Sequence, residues 1–413
     1  MSTDYHQINP EEFVRSSASN SFNKLLEAER KACLSSHESD YANGYHPQRN
    51  IKFGTEEIPI RIPRSREGYY PSMLNKYSRN FSSNWEGLIL DLLLNSKNLE
   101  SLKRTARRFG ACFNDQELEQ ILDESYEEAQ NINKVPLESD YHFLYLDAKV
   151  IDIKLPIILK IEDNFSSDNS AQKNETEQKY KVVRAIHFLV VGIDKEGRKS
   201  LLFADYYQGN ENLDCWRRTF NNLRDRGLSR VSCIVTDDFS GLTGLVSTLF
   251  PHADHQLCTV HLLRNAYKHL SKNEYQDFKK SFAKIVDYDS HKEAYDQMKE
   301  LIQRVKITNS SYANYLDKKA NHFVLFTQYP KDIRPMIRST NQVEGLNNAL
   351  EIQIRASGGY FHSDRDLKLK MKATHHNLVN GKWKHPVPKI KAEIPELEKI
   401  FREKFKDQLS ELK

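Results

Sequence analysis

The chain has 413 residues, 38% of them hydrophobic, and a mean hydropathy of −0.70; that length implies two or three domains, and no apolar run approaches the ~20 residues of a membrane helix. Lysine and arginine number 61 against 57 acidic residues, a net charge of +4 that does not by itself point to nucleic acid. The five scattered cysteines fit a reducing compartment, and the polar first residues carry no secretory signal, so a cytoplasmic protein with no membrane partner is expected.

Residues 1–50 read as a polar arm, partly disordered, with a short helix around Phe22 to Cys33. Ile58, Ile60 and Ile62 then alternate as a strand into a basic turn, where Arg64 and Arg66 stand near Tyr69 and Tyr70. Guanidinium groups beside aromatics suit phosphate and base contacts, although a solvated hairpin has the same composition. Helical periodicity follows over Trp85 to Leu94 and Leu99 to Phe109, the second stretch carrying Lys103, Arg104, Arg107 and Arg108. Gly110 stops it, and an acidic helix, Gln116 to Gln130, completes the outline of a helix-turn-helix. An acidic helix is poorly suited to lie on phosphates, so if this unit grips DNA the contact falls on the Lys103–Arg108 helix and the Arg64–Arg66 turn.

From Tyr141 the pattern changes to strands: Tyr141 to Ile153 with Asp147 at its centre, then Val182 to Ile193 and Leu201 to Tyr207 joined by the turn Asp194-Lys-Glu-Gly197. The polar segment Glu162 to Lys181 separates the first two. A helix with Leu213, Trp216, Phe220 and Leu223 on one face ends at Gly227. The strand Val231 to Val235 runs into Thr236-Asp237-Asp238, a helix follows to Pro251, and His255 to Val260 forms a last strand. Three antiparallel strands, helix, strand, helix, strand is the order of a ribonuclease H-like α/β fold with a mixed sheet.

Residues 262–335 read as helix throughout, which predicts an all-helical insertion, because the α/β domain still lacks its closing helix. That helix is Gln342 to Arg355, with Glu344 in its first turn, and a basic tail follows. The expected domains are therefore 1–50, the arm; 51–135, a small and mostly helical DNA-binding region; 136–261 and 336–380, the two parts of the α/β domain; 262–335, the insertion; and 381–413, the tail.

Such a sheet can converge one acid from its first strand, one from the end of its fourth and one from the closing helix. Three close carboxylates do not stay ionised without cations. Hard oxygen ligands with open positions select Mg²⁺ or Mn²⁺, and two such ions clamp the attacking and leaving oxygens of a phosphoryl displacement. The candidates are Asp147, Asp237 or its neighbour Asp238, and Glu344. An acid in an otherwise apolar strand, as Asp147 is, has little structural use, whereas Glu344 also suits a helix N-terminus for its dipole alone. Cys258-x-x-His261 has half the ligands of a zinc site and no second pair nearby, which favours packing where the last strand meets the insertion. No phosphate-binding glycine loop or nucleophile elbow is present.

These residues, taken in order, resemble the mutator-type transposases of bacterial insertion sequences, from about Ile58 to Trp383. The motifs are Ile62-Pro-Arg-Ser-Arg-Glu-Gly68, Leu146-Asp-Ala148, Gly192-Ile-Asp-Lys-Glu-Gly197, and Trp216 followed by Arg226-Gly227. Thr236-Asp237 with Gly241-Leu242, Phe250-Pro251, Gln256-Leu-Cys258-x-x-His261 and Arg264-Asn265 come next. Tyr329-Pro330, Arg338-Ser-Thr-Asn341, Glu344-Gly-Leu-Asn347 and Gly358-Gly-Tyr-Phe361 complete the series. The resemblance implies a DDE transposase that binds the terminal inverted repeats of its element, cleaves the phosphodiester and joins the 3′-hydroxyl to target DNA with two Mg²⁺ or Mn²⁺ ions. It implies Asp147, Asp237 and Glu344 as catalytic and metal-binding residues, choosing Asp237 over Asp238 and Glu344 over Glu351. Cys258, His261, Arg338 and Asn341 are expected near the site, Asn341 as the cap of the Glu344 helix and Arg338 on the scissile phosphate. A homodimer or higher oligomer on DNA is the expected working form, associated with a prokaryotic nucleoid. Two other readings share the fold: a nuclease or resolvase without strand transfer, and a catalytically silent DNA-binding protein recruited by a host.

Overall fold

The computed structural model describes residues 10–35, 39–53, 56–71, 74, 85–108, 115–157 and 179–410, and the chain divides into two units, Met1–Asp123 and Glu124–Lys413. The first opens with α1 (Pro10–Ser35), much longer than the stretch expected from Phe22 to Cys33. Phe22 and Leu26 of α1 share a core with Ile51, Ile58, Ile60, Ile62 and Leu74. Polar side chains of α1 also serve strand backbone that has no ladder partner on that side. Arg15 Nε donates to the Glu57 carbonyl at 2.7 Å, Ser19 Oγ to that of Pro59 at 2.5 Å, and Asn23 Oδ1 accepts from Arg61 N at 2.8 Å. Residues 10–35 thus belong with the strands rather than to a separate arm; covering an open strand edge in this way is worth more than their polar composition suggests.

Four short strands make the rest of this half. β1 (Ala42–Tyr45) pairs antiparallel with β4 (Pro63–Ser65), and β2 (Arg49–Phe53) with β3 (Glu56–Ile60), where Ile51 faces Ile58. With these strands, the region is less helical than the sequence implied. Then come α2 (Trp85–Leu94), α3 (Leu99–Arg108) and α4 (Asp115–Asn131), close to their expected limits. Asn98 starts α3 by accepting from Ser101 N at 2.9 Å. The turn at Gly110 lies outside the described residues. The division at Asp123 falls inside α4, earlier than the expected boundary at 135.

The second unit is built on a five-stranded sheet in the order β7-β6-β5-β8-β9. Its strands are β5 (Asp140–Pro156), β6 (Tyr180–Ile193), β7 (Lys199–Gln208), β8 (Arg230–Thr236) and β9 (Asp254–Leu257). β5, β6 and β7 are antiparallel, whereas β8 and β9 run parallel to β5. Most of the polar segment expected as an insertion, residues 158–178, lies outside the described residues. On one face α5 (Leu213–Asp225) and α6 (Leu242–Leu249) bury Trp216, Phe220, Leu223 and Leu245 against Leu144, Leu146 and Phe188. Gly241 begins α6 at φ 81°, a conformation that disfavours any side chain.

The other face carries α7 (Thr259–His269), α8 (Lys272–Lys284), α9 (His291–Thr308), α10 (Ser310–Val324) and α11 (Arg334–Ile337). α12 (Asn341–Ala356), α13 (Asp364–Asn380), α14 (Pro388–Ala392), α15 (Ile394–Lys404) and α16 (Lys406–Ser410) follow. The helices from α7 to α11 share one continuous apolar core with Phe143, Tyr145, Leu189 and Val235 of the sheet, so the insertion packs as a layer on the sheet. β9 ends before its expected limit because Thr259 starts α7. There Thr259 N donates to the Arg338 carbonyl at 2.8 Å and Thr340 Oγ1 to Cys258 Sγ at 3.5 Å. The two ends of the insertion are therefore stitched together. Phe361 adds to β5, donating to the Asp152 carbonyl at 2.9 Å, and the tail docks through Lys195–Glu398 at 2.5 Å and Lys404–Asp254 at 2.6 Å. No helix among the described residues is long and apolar enough to cross a membrane.

Candidate active site

Strand register brings the first two acids together. Tyr145 and Val235 are partners across the parallel β5–β8 ladder. Asp147 and Asp237 each lie two residues further on, Asp147 within β5 on the face of Tyr145 and Asp237 as the first residue past the end of β8, at one edge of strands about 4.8 Å apart. Burial pushes the Asp147 carboxyl up, and the Glu344 charge adds to it, against His261 and a hydrogen bond from Asn347. Asn347 Nδ2 donates to Asp147 Oδ2 at 2.5 Å. The Asp237 carboxyl is pushed up to about 7, by burial first and then by the charges of Glu211 and Asp147. Its Oδ1 is buried and has no hydrogen-bond partner.

α12 crosses this edge with Glu344 in its first turn and Asn347 one turn on, the i,i+3 spacing that puts both on one side. Glu351 is engaged elsewhere: Lys149 Nζ lies 3.0 Å from it and Arg355 pairs with it at 2.5 Å. The expected cap is not formed by Asn341. Thr340 occupies the N-cap with no side-chain cap bond, its hydroxyl being directed to Cys258, and Asn341 is the exposed first residue of the helix. Cap identity depends on where the preceding loop is clamped, which the pattern Ser-Thr-Asn does not reveal. Arg338 is half-buried, and its carbonyl is the acceptor that clamps α7.

Cys258 and His261 form a pair in the first turn of α7 rather than a zinc site. Burial alone would push the Cys258 thiol up, but its hydrogen bond with His261 and that residue's charge bring it down. His261 is raised by the same hydrogen bond against burial, with Asp237 and Asp147 adding to the shift. The histidine thus interacts with the thiol and with the charges of both aspartates. Asp238 points away from them, bonded to the Tyr315 hydroxyl and Lys319 Nζ of α10. Asp238→Asn is expected to lower stability by about 1.5–3 kcal/mol, the usual worth of a hydrogen bond to a charged group. Thermal melting would read this directly, and an unchanged midpoint would contradict the anchoring role.

Sequence reasoning missed Asn347 and Glu211. The first was legible in principle as Glu344-x-x-Asn347 on one helix face. The second sits in a loop, and nothing local marks its approach to Asp237. The buried, unpartnered Asp237 oxygen beside a second carboxylate fits a hard divalent cation with open positions. Among the described residues, no three His, Cys, Asp or Glu side chains close into a ready-made metal cage.

In the first unit, Arg64 is exposed, and Arg66 is exposed and stacks over Tyr41, with 5.2 Å to the ring centroid, rather than over Tyr69 or Tyr70. Lys103 is held by Glu119 at 2.6 Å and Glu100 at 3.6 Å, so the acidic helix takes up one of the expected DNA contacts. Arg104 is exposed. The side chains of Arg107 and Arg108 lie outside the described residues.

The sequence profile of the Mutator family of transposases matches residues 2–157 and 174–378. The transposase of insertion sequence element IS905 from Lactococcus lactis is 25% identical over 356 residues, covering 84% of each chain. That of IS1201 from Lactobacillus helveticus is 23% identical, over 85% of this chain and 90% of its own. Among solved structures, the Drosophila P element transposase strand transfer complex aligns over 78% of this chain and 91% of that one, at 13% identity and a TM-score of 0.27, too low a likeness to inform the fold. With a profile match over most of its length and these relatives covered over 84% and 90% of theirs, the chain belongs to the Mutator family of transposases.

Proposed function

We propose that this transposase is of the DDE type, with a ribonuclease H-like catalytic domain. In this reading it binds the inverted repeats at the ends of an insertion sequence, cleaves the phosphodiester and joins the freed 3′-hydroxyl to target DNA. The observation that carries the reading is the placement of Asp147 and Asp237, each two residues beyond the Tyr145–Val235 partners of adjacent parallel strands, one with an unpartnered buried oxygen, beside the helix that bears Glu344. Asp147, Asp237 and Glu344 would hold two Mg²⁺ or Mn²⁺ ions, which supply charge stabilisation to both oxygens of an in-line displacement. Asn347 fixes the Asp147 carboxylate by donating to its Oδ2. The helices over this face limit water around the acids, which strengthens every charge interaction there. Arg338 serves as the phosphate-binding guanidinium at the rim. An element has two ends, so a homodimer or higher oligomer on DNA, in a prokaryotic cytoplasm, is the form that acts.

The test uses a duplex carrying the inverted repeat that flanks the gene, incubated with a target plasmid. Expected products are a nicked or cleaved end and its covalent joint to the plasmid, both absent with EDTA. Cleavage without joining would favour a nuclease, and binding without either a silent DNA-binding protein. For the end contacts, replacing Arg64 and Arg66 is expected to flatten the salt dependence of binding, each lost phosphate contact changing the log–log slope by about 0.9. Replacing Lys103 is expected to change it less, because that lysine is already paired. An equal change in both variants would contradict this assignment.

A further inference from the structure

Where β7 leaves the sheet, Gly209 takes a φ of 97° and its N–H donates to the Arg184 carbonyl at 3.0 Å. Three residues on, Asn212 caps α5 by accepting from Cys215 N at 3.0 Å. Between these fixed points Glu211 is held by one contact, the Trp216 indole N–H, which donates to its Oε1 at 2.8 Å. Trp216 is fully buried and meets Phe188 edge-on with ring centroids 4.7 Å apart, so the indole is a rigid arm. Phe188 is the β6 partner of Ala148, the residue after Asp147, and Leu213, two residues after Glu211, packs against Gly241, four residues after Asp237, so this turn reaches the edge of the sheet that carries both aspartates, where their charges and that of Glu211 act on one another. Among the described residues no lysine or arginine forms an ion pair with it. On the opposite side of the same site Asn347, only 6% exposed, holds Asp147 and leaves its own Oδ1 without a partner.

A half-buried carboxylate beside two others, supported by one indole N–H and only weakly by the His261 charge, is a poor stabilising device. Glutamine would accept the same hydrogen bond and carry no charge. Nor do three carboxylates go far in coordinating two hard cations, each of which takes about six oxygens. We propose that Glu211 is a fourth carboxylate of the metal site, presented by Trp216, and a ligand to one of the two divalent ions. This inference rests on the two-ion reading of Asp147, Asp237 and Glu344 given above. Glu211 would touch the ion directly, and Trp216 is a positioning residue that acts through it.

The probe is Mn²⁺, which quenches indole fluorescence at short range. The chain has three tryptophans, so Trp85→Phe with Trp383→Phe leaves Trp216 as the sole reporter. Mn²⁺ is expected to quench it saturably, and adding Glu211→Gln is expected to raise the half-quenching concentration at least about tenfold, since even the loss of an outer partner of a metal ligand costs about ten- to a hundredfold. The melting temperature should hold or rise. Wild-type quenching and wild-type cleavage in Glu211→Gln would overturn the proposal. If that variant folds poorly, Trp216→Phe, which frees the carboxylate without removing it, must raise the Mn²⁺ needed for half-maximal cleavage; an unchanged requirement overturns it equally. Asp237→Asn in the same titration separates the two possible failures. Loss of Mn²⁺ binding in Asp237→Asn but not in Glu211→Gln removes Glu211 alone, whereas full binding in both removes the two-ion reading and this inference together.

Discussion

Asp237→Asn is expected to abolish end cleavage while leaving end binding nearly intact. The amide keeps the shape of the side chain and removes its charge, so the loss of several kcal/mol of transition-state stabilisation slows the reaction on the order of a thousandfold. Single-turnover cleavage of the end duplex measures the loss, and a gel shift on the same duplex measures the retained binding. The variant should also be at least as stable as the parent. Asp237 has a folded pKa above its unfolded value, so its ionisation costs stability as the pH rises from about 4 to about 7. Removing the charge relieves that cost and the repulsion from Glu211 and Asp147. Asp238→Asn should do the reverse, melting earlier yet cleaving normally per folded molecule. Wild-type cleavage by Asp237→Asn would sink the two-ion reading.

Acid should destabilise the second unit steeply. His142, His187 and His255 are buried in the sheet, and burial holds them down to about 4, about 3 and about 3. For His187 burial is the whole cause. At His142 the Lys195 charge adds to it, outweighing Glu398 at 3.6 Å, and at His255 the charges of His322 and Lys319 do. All three have folded values below the unfolded one of about 6.5. Their contribution is therefore fully present above that pH and is lost as the pH falls toward 4, because the unfolded chain binds the extra protons. Each contributes a slope of up to about 1.4 kcal/mol per pH unit in this window. Denaturant unfolding at pH 7, 6 and 5 gives the slope, and His187→Leu should reduce it by about one proton. A flat profile would mean that these rings are solvated.

Much of the catalytic unit is legible from residue order because its signals are local. Asp147 interrupts a buried strand, Asp237 ends another, and the period changes from two to 3.6 where α7 begins. What escaped depends on distance in space. α1 looks polar, yet Ser19 serves the β3 backbone and Asn23 that of Arg61 just beyond it. The tail looks basic, yet Leu397 and Phe401 anchor it beneath the sheet. Lys103 looks like a phosphate contact until Glu119 is seen beside it. The closing helix goes without a side-chain cap because Cys258, 82 residues earlier, takes the hydroxyl of Thr340, which stands in the cap position.

That same stitch, with Thr259 bonded to Arg338 and Cys258 to Thr340, closes the helical layer at its root. A loop with its ends already joined responds weakly to length, each doubling costing only about 0.6 kcal/mol in closure. Helices can be gained or lost above the root without moving either acid at its base. The distance along the chain between Asp237 and Glu344 is then free to drift between relatives, and a count of residues there is a record of ancestry rather than of geometry.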